Sequence, residues 1–403
     1  MFAPTSRKNK GNKRKYIIAK QNKADKIVPL GFMYLTHLHL LNFKNYSDTE
    51  IQFSSRLNGI VGDNGSGKTN ILDAIHYLSM CKSYLNVIDR QNIKFGELFF
   101  SIQGNWKEQE TESVVNCAVK LGSKKVVKRN KKEYERLADH IGLYPVVFIS
   151  PYDGDLVAEG SELRRRWMDG ILVQVDRIYL DQLQQYNRVL EQRNALLKNM
   201  FEHRLFDAES VEVWDQQLVT CGKLIYEKRR SFLNEFIPIF QKYYCIIGTE
   251  AEQVGLSYRS QLNEGDFAML LKDSLRKDTF THFTNVGLHK DDLVFTLNGN
   301  PVKKFGSQGQ QKSFIIALRL AQYEWLKVCL NNTPVLLLDD IFDKLDGQRV
   351  EKLLKIVTED FFGQVIVTDT DRSRMEQLFS SLNVSSNLFE VTSQQLVSIG
   401  NNR

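Results

Sequence analysis

The first chemistry in this 403-residue chain is carried by an eight-residue segment, Gly62-Asp63-Asn64-Gly65-Ser66-Gly67-Lys68-Thr69. It has the G-x-x-x-x-G-K-T spacing in which glycines let successive backbone N–H groups face phosphates. Lys68 then reaches the β/γ oxygens, and Thr69 offers a hydroxyl to Mg²⁺. A segment of this kind takes a nucleoside triphosphate. Two adjacent acids, Asp339 and Asp340, end the apolar run Pro334-Val335-Leu336-Leu337-Leu338. A buried parallel strand of this sort delivers carboxylates at its carboxyl end, where Asp339 could hold Mg²⁺ directly or through water. Taken alone, a Gly-rich surface turn and a pair of helix-capping acids remain the bland readings of these two segments.

The elements needed to position these groups are also visible. Residues 51 to 61, IQFSSRLNGIV, close on an apolar run just before Gly62, and NILDAIHYLSM places Ile71, Leu72, Ile75 and Leu78 at helical spacing. The helix that follows the glycines turns its positive dipole end toward the phosphates. Gln364-Val365-Ile366-Val367-Thr368-Asp369 reads as one more core strand.

Residues 305 to 313 read FGSQGQQKS and lead into the apolar-periodic FIIALRLAQYEWL. Ser307, Gln308, Gly309 and Gln310 resemble the S-G-G-Q signature of ABC-type ATPases, in which a serine and exposed amides at a helix N-terminus meet the γ-phosphate held by another subunit. Taken alone, a segment of this kind is more often a helix cap, with Ser307 as N-cap. The ABC resemblance gives Asp340 the place of the glutamate that orients attacking water, one methylene shorter, and implies slow hydrolysis. Ile341-Phe342-Asp343-Lys344-Leu345-Asp346 is similar to the D-loop of such enzymes. No switch histidine follows the strand at Val365; Thr368, Asp369 or Thr370 stands there.

The chain as a whole resembles the RecF family, bacterial recombination-mediator ATPases related to the heads of SMC proteins. The likeness rests on LTHLHLLNFKNY (35 to 46), the P-loop with NILDAI, FISPYDGDLVAEGSELRRRWMD (148 to 169), YNRVLEQRNALLK (186 to 198), VWDQQL (213 to 218), GLHKDDLVF (287 to 295), SQGQQKS and LLLDDIFDKLD (336 to 346). Departures are Leu288 for the usual proline, Tyr152 for glutamate and Asp343 for serine. No Q-loop glutamine stands between Val147 and Pro151. The resemblance implies ATP and Mg²⁺ as cofactors, an ATP-dependent homodimer on double-stranded or gapped DNA, RecR and RecO as partners, and help in loading RecA. Two rival classes share such a head: an SMC-like structural head that scarcely turns ATP over, and a defence-type ATPase coupled to a nuclease. No H-E-x-x-H or HNH-like cluster supports the second.

The fold expected is α/β, an ABC-type P-loop ATPase head (a mixed sheet with helices) bearing a helical lid. Residues 33–165 and 281–395 form the head, 166–280 the lid, and 1–32 a basic disordered extension. Leu180, Leu183, Leu190 and Leu197 supply the lid's apolar stripe. Some 120 residues there are too few for a long SMC coiled coil.

The net charge is +6, and residues 1–28 carry nine Lys/Arg against Asp25, a net of +8 that leaves about −2 for the rest. That tail is either an upstream extension of the reading frame or a nucleic-acid arm. Two other basic groups are candidates for DNA contact: Lys128, Arg129, Lys131 and Lys132 with Lys124 and Lys125, and Arg164, Arg165 and Arg166; a solvated face is the alternative for each. No apolar stretch approaches the length of a membrane span. Five singly scattered cysteines suit a reducing, cytoplasmic compartment. His289, Asp291 and Asp292 read as a hydrogen-bonded turn rather than a metal site.

Overall fold

The computed structural model describes residues 32–402 apart from 87, 204–206, 249–251, 343–346, 359–360, 382–383 and 393–394. The basic tail and most of the D-loop-like segment lie outside the described residues.

The site is built on a six-stranded sheet assembled from both ends of the chain. The N-terminal part gives β3 (Leu57–Val61) and β8 (Val146–Ile149); the C-terminal part gives β12 (Val335–Leu338), β13 (Val365–Asp369), β14 (Ser386–Thr392) and β15 (Gln395–Asn402). Their order is β15-β14-β3-β13-β12-β8, with only β15 antiparallel to its neighbour. Both faces are covered, which is why these strands are continuous apolar runs. The two-residue period still sorts them: Leu336 and Leu338 face one core, Val335 and Leu337 the other.

On one face lie α1 (Lys68–Met80) and a second, antiparallel sheet. It contains β1 (Met33–Phe43), β2 (Tyr46–Gln52), β4 (Phe99–Glu108), β5 (Thr111–Lys120), β6 (Val126–Arg129) and β7 (Lys132–Glu133) in the order β2-β1-β4-β5-β6-β7. On the other face lie α2 (Asp155–Ala158), α3 (Ser161–Val175), α7 (Val302–Phe305), α8 (Gln308–Leu330), α9 (Gly347–Val357) and α10 (Arg372–Ser381). The helical middle contributes α4 (Arg177–His203), α5 (Ala208–Ile247) and α6 (Phe267–Thr281).

The middle is not wholly helical. A strand, β9 (Val254–Arg259), pairs antiparallel with β10 (Asp292–Leu297), which turns through Asn298-Gly299 into β11 (Asn300–Pro301). Val254 and Leu256 are buried at a two-residue period, a strand signal too short to register inside a helical stretch. On α4 Leu197 is buried as expected, but Leu180, Leu183 and Leu190 are half-buried and the stripe is centred on Tyr179, Tyr186, Arg193 and Met200, all buried. An arginine at 0% exposure is tolerated there because Asp215, Asp278 and Thr284 take its hydrogens. No helix among the described residues is long and apolar enough to cross a membrane.

Candidate functional site

Parallel strands place the ends that matter side by side. Gly62 follows β3, Asp339 and Asp340 follow β12, and Thr368 and Asp369 close β13 at the same edge. Gly62, Gly65 and Gly67 have φ of 153, 78 and 115°. At Gly67 the requirement is also steric, since a Cβ would meet Asn45 Nδ2 at 2.3 Å. Asn45 Nδ2 donates to the Ser66 carbonyl at 3.0 Å and Tyr46 Oη to that of Gly67 at 3.2 Å, so the β1–β2 turn collars the loop from outside. The sequence likeness covers Asn45 and Tyr46 without giving them a role; only the pairing of β1 with β2 brings them to the loop.

Lys68 is buried and its ammonium donates to the carbonyls of Gly62 and Asp63, at 2.8 and 3.1 Å. Thr69 Oγ1 donates to both carboxylate oxygens of Asp339, at 2.9 and 3.0 Å. Thr368 Oγ1 donates to Asp339 Oδ1 at 2.9 Å and accepts from the Asp340 N–H at 3.0 Å, so at the place of the missing switch histidine a threonine orients both acids. Burial lifts the Asp339 carboxyl to about 6, against the lowering by its two hydroxyl donors.

This corner suits a Mg²⁺-triphosphate. The N-terminus of α1 has no side-chain cap, Ser66 Oγ and Asp340 Oδ1 are buried without a partner among the described residues, and Asp340 is held at φ 43°. N–H and ammonium donors match phosphate oxygens, while a hydroxyl and a carboxylate match a cation that keeps several waters.

Ser307 caps α8 in a reciprocal box with Gln310: the Gln310 N–H donates to Ser307 Oγ at 3.2 Å, and the Ser307 N–H to Gln310 Oε1 at 2.7 Å. Gln310 Nε2 is further held by Glu252 at 2.7 Å. Ser307 and Gln308 are exposed, Gly309 and Gln310 half-buried. Among the described residues no hydrogen bond or ion pair joins residues 307–310 to residues 62–69 within one chain.

The basic candidates divide. Arg129, Lys131 and Lys132 are exposed and Lys128 half-buried on the β6–β7 hairpin, whose turn puts Asn130 and Lys131 at φ 50 and 69°. Lys125 instead turns inward to Asp89 and the Cys81 carbonyl. Arg164 is clamped to Asp292 by two hydrogen bonds and Arg165 bonds Ser161 and the Asp291 carbonyl, which leaves Arg166 as the exposed member of its trio. The sequence run could not show this, because the Asp292 carboxylate that captures Arg164 and the Asp291 carbonyl that captures Arg165 lie 128 and 126 residues downstream. His289 bonds Tyr186 and the Thr284 carbonyl, and Asp291 and Asp292 are taken by arginines, as a turn rather than a metal site.

The family model for the RecF/RecN/SMC N terminal domain matches residues 34–395. The DNA replication and repair protein RecF of Flavobacterium johnsoniae is 47% identical over 359 residues, 89% of this chain and 100% of that one. The chain belongs to the RecF family. The RecF of Phocaeicola vulgatus is 46% identical over 89% of this chain and 96% of its own. Among solved structures, the recombination mediator protein RecF-ATP in the RecFOR pathway is similar at 27% identity and TM-score 0.84, covering 94% of this chain and 100% of that one. An Smc head domain from Pyrococcus furiosus, at 17% identity and TM-score 0.54 over 91% of this chain and 96% of that one, shows the shared fold alone. The RecF-family chain thus carries an ABC-type ATPase head on a mixed α/β framework.

Proposed function

We propose that this RecF-family chain is an ATP-gated DNA clamp of recombinational repair. Gly62 to Thr69 hold ATP, with Lys68 on its phosphates and Thr69 and Asp339 toward Mg²⁺. Bound Mg²⁺-ATP supplies a phosphoanhydride that water can cleave. Asp340, fixed through its backbone by Thr368, orients that water, and its shorter reach than glutamate makes turnover slow. Lys68 and the N-terminus of α1 neutralise charge where it develops.

The observation that carries the two-copy reading is the separation of the motifs. Ser307 and Gln308 lie exposed at the head of a 23-residue helix whose first turn makes no bond to the P-loop. A second copy would bring Ser307, Gln308, Gly309 and Gln310 to the nucleotide, and closure would gather the basic hairpins of both copies around duplex or gapped DNA. The helical middle, 166–280, serves as the lid, with the head divided between 33–165 and 281–395. We further propose RecR and RecO as partners, help in loading RecA and a place in the cytoplasm; the similarity to a recombination mediator of the RecFOR pathway supports this reading.

The test is fluorescence anisotropy of a labelled gapped duplex with no nucleotide, ADP or ATP, on the chain from Met33 and its Ser307→Arg variant. ATP-dependent binding that the variant loses supports the clamp. Binding indifferent to nucleotide and variant contradicts it.

A further inference from the structure

Behind the nucleotide corner lies a closed set of polar side chains that no motif announces. Arg319, on α8 twelve residues beyond Ser307, is 7% exposed and meets the 2%-exposed Asp153 with two hydrogen bonds, Nε to Oδ2 at 3.0 Å and Nη2 to Oδ1 at 2.6 Å. The Tyr84 hydroxyl completes the triangle, donating to Asp153 and accepting from Arg319 Nη2 at 2.8 Å. Asp153 lies in the turn after β8, just past the stretch that offered no glutamine, and also accepts the Ser150 N–H at 3.0 Å.

The set reaches in both directions. Toward the P-loop, the Tyr84 N–H donates to Asp73 Oδ1 at 2.6 Å; Asp73 lies one helical turn past Thr69 on α1 and pairs with Lys44 at 2.5 Å, the residue before the collar's Asn45. Toward the lid, Arg319 Nη1 and Trp167 Nε1 of α3 share the Gln322 oxygen, at 2.9 and 3.1 Å. Apolar side chains of the same volume could stabilise such a place as well as an ion pair does. A guanidinium fork on a carboxylate fixes orientation, which apolar packing does not.

We propose that Arg319 is a positioning residue that carries nucleotide occupancy at α1 to the signature helix and the lid, through Asp73, Tyr84, Asp153, Gln322 and Trp167. This rests on the nucleotide and signature assignments above. Arg319 itself touches neither motif. It sets the pose of α8, and with it of Ser307, roughly 18 Å away along the helix axis.

The test labels the tryptophans with fluorine and follows Trp167 by ¹⁹F NMR, with its signal assigned by Trp167→Phe. The background is Ser307→Arg, so that self-association does not contribute, and the probe is AMP-PNP with Mg²⁺. The Trp167 resonance is expected to move on addition. Tyr84→Phe, which removes one hydroxyl, and Asp153→Asn are expected to abolish the movement while nucleotide affinity stays within about twofold of the parent. A resonance that never moves, one that moves equally in both variants, or a parallel loss of affinity and movement would each overturn the relay. In the Ser307 chain, Tyr84→Phe is expected to weaken ATP-induced self-association at least ~10-fold. A Ser307 chain whose Trp167 responds but which never self-associates keeps the relay and removes the two-copy reading instead.

Discussion

The nucleotide corner and the base of the helical lobe both bury charge, and they treat it in opposite ways. At the base, arginine is closed from two sides by carboxylates: Arg193 by Asp215 and Asp278, Arg229 by Asp169 and Asp291. At the corner, Asp339 has two hydroxyls for partners and Lys68 rests on backbone carbonyls, and among the described residues neither has an ion pair. Paired charge holds helices together. Charge left short of a counter-ion works against folding and is available to a ligand.

The largest test of this contrast pits the two regions against each other. Arg229→Ala strands the buried Asp291 and the half-buried Asp169 and should cost about 3–5 kcal/mol in a denaturant melt. Lys68→Ala should leave the melt within ~1 kcal/mol. A fluorescent-ATP titration of that variant should nevertheless lose affinity by ~100-fold or more.

Asp339→Asn sharpens the contrast, because here function and stability should move apart. The folded carboxyl titrates near 6, above its ordinary value of 3.8, so its contribution is present at pH below 3.8 and lost as pH rises through about 6. Removing the charge should therefore stabilise the nucleotide-free chain at pH 8, by up to ~3 kcal/mol, and leave it nearly unchanged at pH 4. Mg²⁺-dependent nucleotide binding should disappear in the same variant.

At the base the sign reverses. Burial lowers His289 to about 4 from its ordinary 6.5, so its contribution is full above 6.5 and lost as pH falls through 4. Urea midpoints should drop across that window, and less steeply in His289→Asn; a variant curve parallel to the parent would remove His289 from the account.

The smallest effects belong to exposed charge. Replacing Lys131 and Lys132 together by alanine should flatten the salt dependence of DNA binding by about two units of slope, and Arg166→Ala by about one. Each should change stability by less than ~0.5 kcal/mol. Arg164→Ala should instead cost ~1–3 kcal/mol, because Asp292 is left with only the exposed Arg259 as partner. DNA affinity that tracks Arg164 rather than the hairpin lysines would break the division drawn here.

What the sequence made legible follows the same divide. The P-loop, the acid pair and the strands beneath them are local patterns whose chemistry depends on spacing, so Lys68, Thr69 and Asp339 stood out as candidates before any fold was known. The mixed α/β head was legible for the same reason. The buried arginines were not, since hydrophobic periodicity ranks Arg193, Arg229 and Arg319 as surface and their carboxylate partners lie 22 to 166 residues away. The collar of Asn45 and Tyr46 depends on strand pairing, and the role of Thr368 on the parallel register of β12 and β13. Strand β9 escaped notice because its partner comes from beyond α6.

If one copy's P-loop is completed by another copy's signature, sedimentation velocity will register it. The chain with ATP and Mg²⁺ should sediment as a dimer and with ADP as a monomer. Lys68→Ala and Ser307→Arg should each remain monomeric with ATP. Mixed together they should recover part of the dimer, because the Ser307 of the first can complete the P-loop of the second. A dimer that forms without ATP, or that survives Ser307→Arg unchanged, would contradict the account.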